Sequence, residues 1–475
     1  MKFNFSPKTK PLGHQLEAIN FLKGKKNLAL FDEQGLGKSK IVIDALCNDL
    51  ENKLIDSVLI VCKKTLVKMW MKEILKHSYL RANIVVGTKN QRGRSLMHFA
   101  HFHIINYELI VQEIEKIMTF MSLYKFAMVL DESQKIKNPA SRVTKAVLSI
   151  RQFTSKKIII TGTPIANRPE DLWSQFYFLD NGASLGDDFN KFKKEFGIKL
   201  KNEKSLKKYE ENLKSLRDNL GKVSLRRTKD VLELPEKIYI NSYVYLIGEQ
   251  KRIYDRLKKE LYLEIKETEG EVISKEIDNY LEKLLRLTQV ASNPALVNDN
   301  YTETAKKIER LDSLVEKIVK DKEKVIIWTS FRKNIRGLKR RYDKYGALML
   351  FGEIPIEERN EVVEKFMTNE EAKVLVANPS AAKEGLTLTS ANNAIYLDRT
   401  FKMDDYIQSQ DRIHRIGQDK KCNIIKIIAK DTIDEYTDEI IEKKYAISQF
   451  VLGDVSKIID HKNYLTKEDL LKILG

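Results

Sequence analysis

The run Asp32-Glu33-Gln34-Gly35-Leu36-Gly37-Lys38-Ser39 is the sharpest chemical signal in the chain. It stands between an apolar run, NLALF, and an apolar-periodic stretch, KIVIDALCNDL, so strand, loop and helix follow in the order a phosphate-binding loop requires. Gly35 and Gly37 let backbone N–H groups approach a phosphate, and the helix N-terminus adds its positive end. Lys38 then reaches the β- and γ-phosphates of ATP, and Ser39 ligates Mg²⁺. Asp32 stands where the strict G-x-x-x-x-G-K-S/T pattern has its first glycine. Further on, FAMVLDESQKIKN sets Asp131 and Glu132 at the end of an apolar run, where α/β sheets present ligand-facing residues. Adjacent carboxylates divide two tasks. Asp131 holds the metal through water, while Glu132 orients and deprotonates an attacking water in a hydrolysis without a covalent intermediate. Alone, such a pair is as often a turn or an N-cap; behind a P-loop, hydrolysis is the stronger reading. A third signal, QSQDRIHRIGQ, sets Arg412 and Arg415 three apart, on one face if the segment is helical. They are cations of the kind phosphoryl transfer needs, against the competing reading of an exposed ion-pair helix.

These residues need strands to hold them. From Asn27 to about Thr163 the runs NLALF, SVLIVC, NIVVG, FHIINY, FAMVLDE and KKIIITGT recur, Val/Ile-rich and spaced by amphipathic stretches, which reads as parallel strands buried on both faces. A second set begins at Lys324 with KVIIWTSF and continues through ALMLFG, KVLVANP, NAIYLD and CNIIKIIA. Between the sets, Lys, Glu and Leu dominate and Gln250 to Leu287 carries apolar residues at helical spacing. The expected class is α/β with two tandem parallel-sheet domains, a first over 1–186 and a second over 322–434, separated by a helical insert and linker over 187–321 and followed by a C-terminal helical brace over 435–475. With the P-loop on one domain and the arginines on the other, ATP is expected to bind in a cleft that the arginines complete on closure.

The 475 residues carry 84 Lys+Arg against 67 Asp+Glu, a formal charge of +17, yet 42% are hydrophobic, which excludes a disordered chain and makes a polyanionic partner plausible. Cys47, Cys62 and Cys422 form no C-x-x-C spacing, so neither a zinc site nor a disulfide framework is expected. No apolar run approaches the ~20 residues of a membrane span. A monomeric, soluble, cytoplasmic protein is expected, nuclear if eukaryotic, and no further domain beyond the motor.

The series of motifs resembles a Swi/Snf-type ATPase of helicase superfamily two across nearly the whole chain. DEQGLGKS resembles motif I, CKKTLVKMW motif Ia, DESQKIKN the DEAH box and TGTPIANRPEDLWSQFYFL motif III. LRRTKDVLELPEK and LLRLTQVASNPALV are similar to the segments this family places next, and VIIWTSF, ANPSAAKEGLTL and DRIHRIGQ resemble motifs IV, V and VI. The resemblance implies two RecA-like domains, an adenine-reading role for Gln15, nucleotide binding at Gly385, and contacts to the phosphates of duplex DNA from Lys63, Lys64 and Thr65, from Asn106 and Tyr107, and from Thr163. For Tyr107 the competing reading is core packing. Ser133-Gln134 departs from the usual Ala-His of the box, and Ala382-Lys383-Glu384 stands before Gly385 where many members carry glycines. The implied activity is ATP-driven translocation on DNA. Strand separation or annealing on branched DNA, towards which the GLTL form of motif V leans, and a nucleotide-gated clamp with little turnover are the alternatives.

Overall fold

Every apolar run of the first set becomes a strand of one parallel sheet in the computed structural model, which describes residues 7–196, 203–267, 284–457 and 474. The strands are β1 (Asn27–Leu30), β2 (Ser57–Cys62), β3 (Ala82–Ile84), β4 (Phe102–Asn106), β5 (Phe126–Asp131) and β6 (Thr154–Ile160). A two-residue β7 (Ser224–Leu225) adds to the edge, giving the order β3-β4-β2-β5-β6-β1-β7. β2, β4 and β5 are buried at every position, which is why their sequences run apolar without alternation. One core, with Phe31, Phe126 and Phe176, covers one face; a second, with Leu28, Ile60 and Trp70, covers the other.

The second set behaves alike. β8 (Lys237–Val244), β9 (Val325–Trp328), β10 (Leu348–Leu350), β11 (Val374–Ala377), β12 (Asn393–Tyr396) and β13 (Cys422–Ala429) form a parallel sheet in the order β10-β11-β9-β12-β13-β8. The chain divides into two compact units, Met1–Leu232 with Ile447–Ile459 and Glu233–Ala446 with Asp460–Gly475. The 187–321 stretch is shared between them. Helix Glu203–Val223 buries Tyr209, Leu213, Leu216 and Leu220 in the first unit's core, whereas β8, helix Gly248–Glu267 and helix Lys306–Lys320 belong to the second. β8 is a strand within a stretch read as helical. At the C-terminal end of the chain, helix Ile433–Leu452 is described, and residues 458–473 and 475 of the expected brace lie outside the described residues. No helix among the described residues is long and apolar enough to cross a membrane.

One core residue of the first unit makes stability depend on pH. His103 on β4 is fully buried, its ring edge-on to Phe120 at 5.0 Å and both ring nitrogens shut from solvent. Burial pushes its pKa down to about 4 from the ordinary 6.5. The unfolded chain therefore takes up a proton that the folded chain refuses, so this contribution is complete above pH ~6.5 and is lost as pH falls toward ~4. His103→Phe keeps the ring packing and removes the titration. Urea unfolding should show a loss of stability between pH 7.5 and 5 that is smaller than in the parent by about 2 kcal/mol; an unchanged pH dependence would assign the titration elsewhere.

Candidate active site

The C-terminal ends of the first unit's strands gather its motifs. β1 runs into the P-loop, where Gly35 and Gly37 take φ of 94° and 78°. Gly37 has two reasons to be glycine: its backbone is left-handed as the N-cap of helix Lys38–Glu51, and a Cβ there would lie 2.3 Å from Gln15 Nε2. Gln15, on helix Gly13–Leu22, accepts from Leu12 N–H at 3.0 Å and donates to Leu36 O at 3.4 Å, which docks its amide on the loop. Lys38 Nζ donates to Asp32 O at 2.7 Å and to Glu33 O at 3.0 Å. Burial pulls its pKa down, and the charges of Asp32, Glu132 and Asp131 oppose that, so three carboxylates surround this ammonium. Ser39 follows it in the first helical turn. The acid in place of the first P-loop glycine also has its reason: Asp32 is fully buried and pairs with Arg227.

At the end of β5, Asp131 Oδ2 accepts from Trp70 Nε1 at 2.8 Å, Oδ1 accepts from Glu132 N–H at 3.0 Å, and the backbone O accepts from Tyr107 OH at 2.8 Å. Burial, then the Glu132 charge, push its pKa up to about 6. Glu132 itself sits at φ 52°, ψ 54°, a left-handed conformation that costs about 1–3 kcal/mol in a non-glycine residue and is found where a site needs its geometry. Gln134 Nε2 donates to Glu132 Oε2 at 2.5 Å. Ser133 Oγ donates to Gln175 Oε1 at 2.6 Å, and Gln175 Nε2 reaches Pro164 O at 2.9 Å. The unusual Ser-Gln of the box thus holds the second carboxylate and ties the box to the TGTP loop. One hydroxyl at Ser39 and one carboxylate at Asp131 suit Mg²⁺, which takes few protein oxygens and completes its shell with phosphates and water.

The expected DNA contacts divide. Lys64 is exposed and Thr65 half-buried beyond β2. The ammonium of Lys63 is shut from solvent with no hydrogen-bond partner among the described residues, and its charge acts on Asp131. The ring of Tyr107 is fully buried, as the core-packing reading has it, and its hydroxyl donates to Asp131 O. Asn106 is buried and caps helix Tyr107–Ser122 by accepting from Leu109 N–H at 2.9 Å. Thr163 is buried in the TGTP loop, its N–H donating to Thr161 Oγ1 at 3.0 Å. Burial of this kind depends on the tertiary neighbours and leaves no mark on a motif.

In the second unit, Arg412 and Arg415 are not on a helix. Helix Met403–Gln410 stops before them, and the turn that follows is held by Gln418 Nε2, which donates to Ala391 O at 2.9 Å and Ile413 O at 3.1 Å. Both guanidiniums nevertheless converge: Arg412 Nη1 and Arg415 Nη1 donate to Leu386 O at 3.3 and 3.1 Å, and Arg412 Nε donates to Gln408 O at 3.0 Å. Gly385, just before Leu386, takes φ 75° to end the turn Pro379–Glu384. Arg412 is buried, which removes the exposed ion-pair helix as a reading. Sequence reasoning missed Trp70 and Arg227, although both lie inside quoted motifs, because their partners stand 61 and 195 residues away.

The SNF2-related domain matches residues 14–296, and the helicase conserved C-terminal domain matches residues 306–417. An uncharacterized ATP-dependent helicase of Mycoplasma genitalium is 31% identical over 94% of this chain and 42% of its own length. The human SWI/SNF-related matrix-associated actin-dependent regulator of chromatin subfamily A member 1 is 27% identical over 100% of this chain and 47% of its own. The chain thus spans less than half the length of these relatives. Among solved structures, the Sulfolobus solfataricus SWI2/SNF2 ATPase core in complex with dsDNA aligns with a TM-score of 0.45 and 25% identity, covering 95% of this chain and 96% of that one. With the P-loop, the Asp-Glu pair and the arginine motif in place, and a family domain spanning more than half of it, the chain belongs to the SNF2-related family.

Proposed function

We propose that the chain is a DNA-dependent ATPase that uses hydrolysis to translocate along duplex DNA. The observation that carries this reading is the convergence of Lys38, Ser39, Asp131 and Glu132 at the C-terminal ends of β1 and β5, with Lys38 resting on P-loop carbonyls amid three carboxylates. Gln15 reads the adenine, the P-loop N–H groups and Lys38 hold the phosphates, and Glu132 takes the proton of the attacking water. Ser39 and Asp131 would hold Mg²⁺, which would neutralise charge on the phosphates when bound. Gly385 lets the backbone of the second unit approach the nucleotide, and Arg412 and Arg415 supply cations to the γ-phosphate. The +17 charge and the exposed Lys64 with Thr65 support a grip on DNA phosphates, independent of base sequence.

Triplex displacement run beside fork unwinding tests the mode of action. ATP-dependent displacement of a third strand without fork unwinding is the expected result; unwinding or annealing of forks without triplex displacement would replace translocation by the helicase reading. Lys38→Ala should abolish ATP turnover while nucleotide-free DNA binding stays within about twofold, since it removes the cation facing the β- and γ-phosphates and no DNA contact. Near-parent turnover in that variant would overturn the P-loop assignment.

A further inference from the structure

Among the described residues the chain leaves the first unit after Leu232 and returns to it at Ile447. The segments beside these two crossings meet on the first unit, and they meet at the P-loop. On the outgoing side, the backbone of 225–229 runs along the start of the loop: Phe31 N–H donates to Leu225 O at 2.8 Å, Glu33 N–H to Arg227 O at 3.0 Å, and Lys229 N–H to Glu33 Oε2 at 2.7 Å. On the returning side, Ile447, Phe450 and Val451 are buried in the first core, and Asp454 follows directly. Arg226 joins the two. Its Nε and Nη2 form a two-pronged pair with Asp454, at 3.0 and 2.7 Å, and its Nη1 donates to Phe31 O at 2.6 Å and to Gly162 O at 3.4 Å. The side chains of Arg226 and Asp454 are only 12% and 7% exposed, so solvent screens this pair little.

Resting on the reading of the P-loop as an ATP site, we propose that Arg226 is a positioning residue that couples nucleotide occupancy to the returning segment at Asp454. A planar fork suits this task, because one guanidinium can clamp a carboxylate and still hold two backbone carbonyls. The link between phosphate and clamp is Lys38. Lys38 Nζ donates to Asp32 O and Glu33 O, so a phosphate that draws this ammonium toward itself competes with the backbone carbonyls of both residues. Glu33 is the residue whose carboxylate faces Arg226 Nη2, at 3.4 Å, and Lys229 N–H, so a shift of its backbone bears on the clamp directly. Coupling is reciprocal: whatever nucleotide does to the segment at Asp454, loosening that segment does to nucleotide affinity.

Hydrogen–deuterium exchange of the amides of 447–457, with and without saturating Mg²⁺ and ATPγS, tests this. In the parent protein, nucleotide should change exchange in that segment by about fivefold or more, in line with ordinary coupling energies. Arg226→Met and Asp454→Asn should both lose the response, and Arg226→Lys should recover little of it. Asp454→Asn is the decisive variant, since its partner is Arg226 and not a nucleotide-holding residue. Thermal melting checks that each variant is folded, and a fluorescent ATP analogue should show affinities within about tenfold of the parent. A parent that binds nucleotide without any response at 447–457, or an undiminished response in Asp454→Asn, overturns the coupling and leaves the ATP site standing. A folded parent that binds no nucleotide overturns both.

Discussion

Glu132→Gln should leave ATP binding intact and lower turnover by about 10²–10⁴-fold, the range a positioned general base supplies. Gln has the size of Glu and can keep a hydrogen bond with Gln134, but it cannot accept the proton of the attacking water. The left-handed backbone at Glu132 and the clamp from Gln134 both act to aim this one carboxylate, an investment that a purely structural acid would not require. Single-turnover hydrolysis and equilibrium binding of a fluorescent ATP analogue separate the two effects. Loss of both in parallel would make Glu132 a structural residue of the box.

An effect of comparable size is expected from the arginines of the second unit. Arg412→Ala or Arg415→Ala should reduce turnover by about 10³-fold, following arginine-finger precedents, with ATP affinity much less affected. Lys at either position should rescue poorly, because a point charge cannot reproduce the fork. The convergence of both guanidiniums on Leu386 O sets the control: each variant also loses a hydrogen bond to the GLTL segment, so folding must be checked by melting before rates are compared. Parent rates in both variants would remove the arginines from the reaction and leave the P-loop and acidic pair unaffected.

Much of this was legible in the sequence, for a physical reason that also explains what was not. Parallel strands buried on both faces write themselves as continuous apolar runs, so β1–β6 and β9–β13 could be read directly. β8 could not. It is an edge strand with Tyr239, Ile240 and Tyr243 exposed, and its run KIYINSYV, β-branched and aromatic after Pro235, was the available signal inside a Lys- and Glu-rich stretch. The P-loop and the Asp-Glu pair are contiguous along the chain and were visible as motifs. Arg226, Arg227 and Trp70 act through partners distant in sequence, which only the folded chain brings together. Lys63 and Tyr107 carried the right chemistry for a phosphate contact but face inward, toward Asp131, and residue type alone cannot tell the two directions apart.

The central claim, that an ATP site in this chain is driven by DNA, is tested most directly by phosphate release measured with duplex, single-stranded and forked DNA and with RNA, each across the same series of salt concentrations. The expected result is ATP hydrolysis that duplex DNA stimulates most, that weakens as salt is raised because phosphate contacts are screened, and that disappears in Glu132→Gln. Hydrolysis that no nucleic acid stimulates, or that RNA stimulates as well as duplex DNA does, would contradict it.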